Sequence, residues 1–197
     1  MDPNKKFDKK YFTSGAYKDY QEILEEWVEP IAKRIYCFFE KKKGIRVLDV
    51  GCGFGNLIAE LQDKYEFRVR GLELSAYAVE KALPSVKRKI KMGSILKPGF
   101  KKNSFKAVIC FDVIYYFDFQ DTKNVIKNLI NISGEYIFFN TLYCHSKEAS
   151  QKHNPDPLRF KPLSKKEYVD IFCKNGAELF KSFRAENGGE ILIFKKI

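Results

Sequence analysis

No apolar run in this chain comes near the ~20 residues that a membrane-spanning helix needs. The start, Met1-Asp2-Pro3-Asn4-Lys5-Lys6-Phe7, carries basic residues with no apolar stretch behind them, so no secretory leader is expected. Both absences make a cytoplasmic protein without membrane contact the expectation. Cysteine is sparse. Cys37, Cys52, Cys110, Cys144 and Cys173 stand far apart, and no pair has the C-x-x-C spacing of a zinc framework. An odd number of thiols in such a setting reads as reduced cysteine. Histidine is scarcer still, with only His145 and His153. Together with Cys144 they outline part of a metal site, but a fourth ligand is missing and no metal is expected.

Acid is in deficit. There are 25 Asp and Glu against 36 Lys and Arg, a net charge of +11. Such an excess invites nucleic acid. Only seven of the 36 are arginine, however, and the cations are spread along the chain among Ile, Phe, Tyr and Asn. Nucleic acid is therefore not the favoured partner. A hydrophobic fraction of 45% argues against disorder, and 197 residues suffice for one domain with a real core.

The most informative stretch is Val47 to Asn56. Val47, Leu48 and Val50 read as a short strand buried on both faces. Gly51, Gly53 and Gly55 then force a sharp turn, because a strand does not hold three alternate glycines. From Asn56 to Lys64 a helical pattern resumes, with Leu57, Ile58 and Leu61 on one side. Strand, glycine turn and helix present backbone N–H groups to a ligand at the positive end of a helix dipole. Dinucleotide enzymes space this turn G-x-G-x-x-G, with a glycine where this chain has Asn56. Further on, Phe67 to Leu72 alternates apolar and basic residues as a strand does and ends in Glu73, 22 residues after Gly51. An acid there suits the hydroxyls of a ribose. Ser75 caps a following helix through Ala82.

The run Val47-Leu48-Asp49-Val50-Gly51-Cys52-Gly53-Phe54-Gly55 resembles motif I of the class I S-adenosylmethionine-dependent methyltransferases. The resemblance covers about residues 20 to 197. It implies an α/β, Rossmann-like fold: a seven-stranded, mostly parallel sheet with a C-terminal antiparallel hairpin and helices on both faces. It also implies S-adenosylmethionine as cofactor and S-adenosylhomocysteine as product. Asp49, Gly51, Cys52, Gly53, Gly55, Asn56, Glu73 and Leu74 are the expected cofactor residues of the first half. Met92-Gly93-Ser94-Ile95 closes an expected third strand over Val86 to Leu96 and adds Gly93, Ser94 and Ile95. Many members carry an acid where Ser94 stands. The cluster Lys87-Arg88-Lys89 with Lys91 would lie on this edge strand, where lysine deters strand pairing. Phe105 to Ile114 reads as another buried strand, and Ile109 to Phe117 (I-C-F-D-V-I-Y-Y-F) resembles motif IV, whose Phe111 and Asp112 would face both cofactor and acceptor.

One domain is expected: residues 1–43 an aromatic segment and helical cap, 44–141 the cofactor-binding core, 142–163 a substrate-side loop, 164–197 a helix and hairpin. Within the cap, Asp19 to Lys42 reads as an amphipathic helix that Pro30 should kink or split. Asp121 to Ile132 reads as the helix before a strand over Glu135–Thr141. Ser164 with Glu167 forms a capping box, Gly176 ends that helix, and Asn187-Gly188-Gly189 joins two strands.

For the acceptor, the amino-methyltransferases of DNA and RNA carry [DN]-P-P-[YFW] after the fourth strand, whereas this chain has Phe111-Asp112-Val113-Ile114. A Pro-Cys nucleophile and a paired-Glu loop are also missing. A small-molecule acceptor is the expectation, with RNA or protein as the alternative and a non-catalytic cofactor-binding protein behind it. Its pocket would draw on Tyr11, Tyr17, Tyr20, Tyr115, Tyr116, His145, His153 and Arg159, with His145, Asp112 and Tyr115 as candidate catalytic groups. Residues 1 to 19 read as a lid hinged at Gly15.

Overall fold

The computed structural model describes residues 6–14, 20–140, 158–161, 163–184 and 190–197, with residues 20–26 described by backbone alone. The chain falls into two compact units, Met1–Ser94 and Ile95–Ile197.

In the first unit, α1 is a short helix, Lys9–Thr13, and α2 runs over Tyr20–Phe38. Pro30 lies inside α2, which neither splits nor reaches the expected Lys42. Val28, Ile31, Ala32 and Ile35 are buried on both sides of the proline, so one continuous stripe anchors both halves to the same core. The helix stops earlier because Glu40 and Lys41 turn left-handed, at φ +53° and +60°. The N–H of Lys41 then closes onto the Tyr36 carbonyl at 3.0 Å. Strand β1 (Arg46–Val50), helix α3 (Asn56–Asp63), β2 (Arg68–Glu73), helix α4 (Ala76–Glu80) and β3 (Ile90–Met92) follow. β1 pairs with β2, and β2 with β3, all parallel.

The third strand is much shorter than Val86 to Leu96. Lys87–Lys89 form a 3-10 turn instead. The N–H groups of Val86 and Lys87 both go to the Leu83 carbonyl, at 3.1 and 2.9 Å, so they are spent locally before pairing begins. The Lys87-Arg88-Lys89 cluster therefore precedes the edge strand, and only Lys91 lies on it.

In the second unit, β4 (Phe105–Phe111) pairs parallel with β5 (Ser133–Asn140), and α5 (Phe119–Ile132) links them. α5 starts two residues before the expected Asp121 because Asp118 is the N-cap, accepting the Asp121 N–H at 2.8 Å. The capping box of Ser164 and Glu167 opens α6 (Lys165–Lys174), and Gly176 follows it at φ +89°. β7 (Glu190–Lys196) runs antiparallel to both β5 and β6 (Ala177–Arg184). Their Asn187-Gly188-Gly189 turn lies outside the described residues. The core centres on Phe138, Phe139, Phe172 and Phe194, the last two stacked at 3.7 Å.

The strand order is β3-β2-β1-β4-β5-β7-β6, five parallel strands extended by the antiparallel pair. This is the seven-stranded Rossmann-like sheet that the resemblance implies. Among the described residues no helix is long and apolar enough to cross a membrane.

Candidate functional site

In the first unit the glycine turn hangs from a rigid strand. Val47, Leu48 and Val50 are all buried, and the Gly51 N–H donates to the Leu72 carbonyl at 2.7 Å. Gly53 and Gly55 both take left-handed backbone, at φ +54° and +85°. A side chain is strained there. Gly55 is also the N-cap of α3, and a Cβ on it would come within 2.8 Å of Val86 Cγ2. The missing side chain of the third glycine thus makes room for Val86 and Ile90. The Cys52 side chain packs inward as well. It is buried, and its Sγ turns onto Gly71, where an added Cβ would meet it at 2.5 Å. Burial raises its thiol well above the usual range. Only its backbone is left for a ligand.

Two carboxyls converge behind the turn. Asp49, in register with Gly71, is 5% exposed, and Glu73 at the end of β2 is 7% exposed. Glu73 Oε2 accepts the Gly53 N–H and Oε1 the Ser75 N–H, both at 2.8 Å. Burial raises the Glu73 carboxyl above its ordinary range, against the backbone N–H groups that favour its charge. Burial, with the charge of Glu73 second, pushes Asp49 up to about 8. Burial therefore favours the protonated form of Asp49. Asn56 Oδ1, at the first turn of α3, is buried and has no hydrogen-bond partner among the described residues. The turn is accordingly rich in acceptors. It fits a cationic ligand that brings donors, such as an ammonium and ribose hydroxyls. A pyrophosphate would meet two carboxyls and find the Gly53 N–H already engaged. Beyond them, Leu74, Gly93 and Ser94 are half-buried, and the Gly93 N–H donates to the Glu73 carbonyl at 2.8 Å.

The described part of the N-terminal segment docks on this turn. Phe12 packs on Phe54 and Tyr77, with ring centroids 5.2 and 5.9 Å apart, and Tyr11 packs edge-on against Phe7 and Phe12. Ser75, N-cap of α4, donates its hydroxyl to the Phe7 carbonyl. Gly15 and Tyr17 lie outside the described residues, as does the side chain of Tyr20.

In the second unit the ends of β4 and β5 bring Phe111, Asp112 and Asn140 together. Phe111 is in register with Asn140, and Asp112 follows at φ +55° with its N–H directed to the Asn140 carbonyl at 3.4 Å. Asn140 is 6% exposed, and its Oδ1 has no partner among the described residues. Sequence reasoning missed this residue. The signal was the one polar side chain closing the apolar run Ile137-Phe138-Phe139. Tyr115 is buried beneath the Arg159 guanidinium, 4.6 Å from its ring, and its carbonyl accepts the Phe160 N–H at 2.7 Å. Tyr116 is half-buried, its ring 4.8 Å from that of Tyr115. Ile114, Tyr115, Phe117, Phe160 and Tyr168 line a cavity of about 200 Å³. Ile95 is buried, and its carbonyl accepts from Asn128 Nδ2 at 2.8 Å. His145 and His153, with Cys144, lie outside the described residues. Among those described no group of acids, thiols and imidazoles could hold a metal.

Residues 47–133 match the family described as methyltransferase domain. An uncharacterized protein of Methanocaldococcus jannaschii is 30% identical over 152 residues, 77% of this chain and 63% of that one. The sterol 24-C-methyltransferase of Aspergillus fumigatus is 26% identical over 127 residues, 61% of this chain and 33% of that one. The chain thus spans less than two thirds of the curated relatives it matches. Among solved structures, the magnesium protoporphyrin IX methyltransferase of Synechocystis with bound S-adenosylmethionine aligns at a TM-score of 0.75 and 16% identity, over 100% of this chain and 98% of that one. A methyltransferase of Aquifex aeolicus aligns at 0.65 and 14% identity, over 84% and 89%. These likenesses carry the fold. From the strand that delivers Asp49 to the end of α5, residues 47–133 follow the pattern of a methyltransferase domain.

Proposed function

We propose that this protein methylates a small-molecule acceptor, with S-adenosylmethionine as the methyl source and S-adenosylhomocysteine as the product. The observation that carries the cofactor side of the reading is the acceptor-lined glycine turn, where Glu73, Asp49 and Asn56 Oδ1 stand ready for donors. Asp49, Gly51, Gly53, Asn56, Glu73 and Leu74 are the residues that would hold the cofactor, with Ser94 beside them. The cofactor supplies a methyl group on a sulfonium, an electrophile that needs no protein nucleophile.

The protein's part is then to bind, orient and exclude water. Phe12, Phe54 and Tyr77 form an aromatic cover on the glycine turn. In the second unit, Asn140 Oδ1 accepts a hydrogen from the acceptor's N–H or O–H. Asp112 is the candidate for removing a proton where the nucleophile carries one, with His145 and His153 as further candidates. The aromatic cavity beside Tyr115 suits a compact, partly apolar acceptor. The missing [DN]-P-P-[YFW] supports the same reading. A macromolecular acceptor, RNA or protein, is the alternative, and the net charge of +11 speaks for it.

Calorimetry with S-adenosylhomocysteine and NAD tests the cofactor side. Binding of the first and none of the second is expected, and tighter binding of NAD would overturn the reading. Incubation of a cell extract with methyl-labelled cofactor tests the acceptor side. Label should enter the small-molecule fraction, and label confined to RNA or protein would establish the alternative.

A further inference from the structure

We infer that the face of β1, β2 and β3 turned away from Asp49 and Glu73 docks the phosphate backbone of a nucleic acid. The register puts Arg46 directly beside Arg68, Leu48 beside Arg70 and Leu72 beside Lys91. Residues in register share a face, and so do alternate residues of one strand. Arg46, Arg68, Arg70 and Lys91 therefore project on the same side, and all four are exposed. Asp49, Gly71 and Glu73 occupy the opposite face, so the two acids of the glycine turn do not neutralise this one.

Like charges directly opposite on neighbouring strands destabilise a sheet. Arg46 and Arg68 sit in that relation, and neither they nor Arg70 has an acidic partner among the described residues. A folded chain that keeps such a pair gains from an anion placed over it. Residue choice points the same way. The chain covers its surface with lysine, yet three of its seven arginines stand on this one patch. The guanidinium fork binds phosphate oxygens in pairs, which an ammonium cannot do.

The spacing suits an extended polyanion better than a single ion. Neighbouring strands lie ~4.8 Å apart and alternate residues of a strand ~6.7 Å apart, so the cations cover three strands. A protein partner would want an apolar centre in its interface. Here Leu48, Val50 and Leu72 are buried and only cations reach the surface. A single strand would want aromatic platforms for its bases. This face offers none, so the occupant is the backbone of a duplex, held by charge and without sequence preference. The net charge of +11 adds attraction at long range. The inference is independent of the acceptor's identity, because it concerns binding and not turnover.

Fluorescence anisotropy with labelled 20-base-pair RNA and DNA duplexes, over a series of salt concentrations, tests it. The full chain is compared with an Arg46→Gln, Arg68→Gln, Arg70→Gln variant. The control is a charge-matched Lys101→Gln, Lys166→Gln, Lys174→Gln variant, built from exposed lysines of the other unit. The arginine variant should bind at least tenfold more weakly at low salt, with the slope of log affinity against log salt reduced by about 2–3. The lysine variant should stay within about twofold of the parent. Whichever duplex binds tighter names the source of the phosphate, and either result supports the inference. Arg68→Gln alone serves if the triple variant does not fold. It should weaken binding severalfold and, without nucleic acid, melt higher than the parent at low salt, since it relieves the Arg46 repulsion. Equal losses in the two triple variants would overturn the inference. So would polyglutamate binding as tightly as the duplexes, or no binding of either duplex at low salt.

Discussion

Glu73 Oε2 accepts the amide N–H of Gly53 at 2.8 Å, so the last side chain of β2 holds the turn that follows β1. Its other oxygen holds the Ser75 N–H, which starts α4. The position of Glu73 at a strand tip suggests that its removal would leave stability alone. Burial and these two bonds argue otherwise. Glu73→Ala should cost ~1–3 kcal/mol of stability by stranding buried donors, and lower S-adenosylhomocysteine affinity by ~tenfold or more. Urea denaturation and calorimetry measure the two losses. An unchanged denaturation midpoint would refute the bracing role.

The Asp49 carboxyl gives the fold a pH dependence. Its value is about 8 when folded and near 3.8 when unfolded. The folded state therefore holds a proton that the unfolded state lacks between these limits. The stability this contributes is complete below about pH 4 and is lost as pH rises through 8. Glu73, also raised, acts in the same direction. Asp49→Asn should flatten the decline in melting temperature between pH 5 and 8. A variant with the parent's slope would refute the assignment. In the parent, binding of the cationic cofactor should release a proton near neutral pH. Calorimetry in buffers of different ionisation heat detects that release.

The strands and helices that deliver the site were legible because their apolar spacing is strong. The turn itself and the two acids beside it, Asp49 and Glu73, were legible as local structure, since three alternate glycines end a strand and Glu73 closes the next one. What Cys52 and Gly55 do was not readable. Whether a loop residue faces a ligand or a neighbour depends on Gly71, Val86 and Ile90, which are distant in sequence. The third strand was overextended because its apolar residues say nothing of N–H groups already spent on a turn at Leu83. Asn140 escaped because a polar residue at a strand end is ordinary until its burial is known.

Gly71 lies against Cys52, and a Cβ there would meet Sγ at 2.5 Å, Ile90 Cγ1 at 3.0 Å and Ile58 Cδ1 at 3.2 Å. Gly71→Ala should destabilise by ~1–3 kcal/mol through overpacking. Cys52→Ala removes the nearest atom, so the double variant should recover part of that loss. Thermal melts of the four proteins form the cycle. Strict additivity would mean that the strain resides elsewhere.

The N-terminal segment should act as a cover whose closure follows the cofactor. α1 is five residues long with none buried, and Phe12 makes its ring contacts on the glycine turn and α4. Its amides should exchange quickly in the free protein and slow on adding S-adenosylhomocysteine. Phe12→Ala should weaken cofactor binding severalfold with little change in melting temperature. Strong protection of Tyr11 to Ser14 without ligand would make the segment a fixed cap, and full turnover after deletion of residues 1–14 would remove the lid altogether.

Asn140 sets activity against stability. Among the described residues its Oδ1, buried at the end of β5, has no donor, and such a group costs a folded protein free energy. Such a cost is retained where a ligand supplies the missing bond. Asn140→Leu replaces the amide, with its unpartnered oxygen, by an apolar side chain of similar size. The variant should be ~1–2 kcal/mol more stable than the parent, because the buried Oδ1 is gone. It should also lose ~10–100-fold in kcat/KM for the acceptor, as the acceptor's N–H or O–H then meets carbon. S-adenosylhomocysteine affinity should not change. Asn140→Asp keeps an accepting oxygen and should restore much of the activity while remaining less stable than the Leu variant. Urea denaturation, calorimetry and steady-state kinetics separate the three effects. A less stable Leu variant would show that Asn140 is satisfied within the fold. Wild-type turnover in the same variant would show that the acceptor does not reach it.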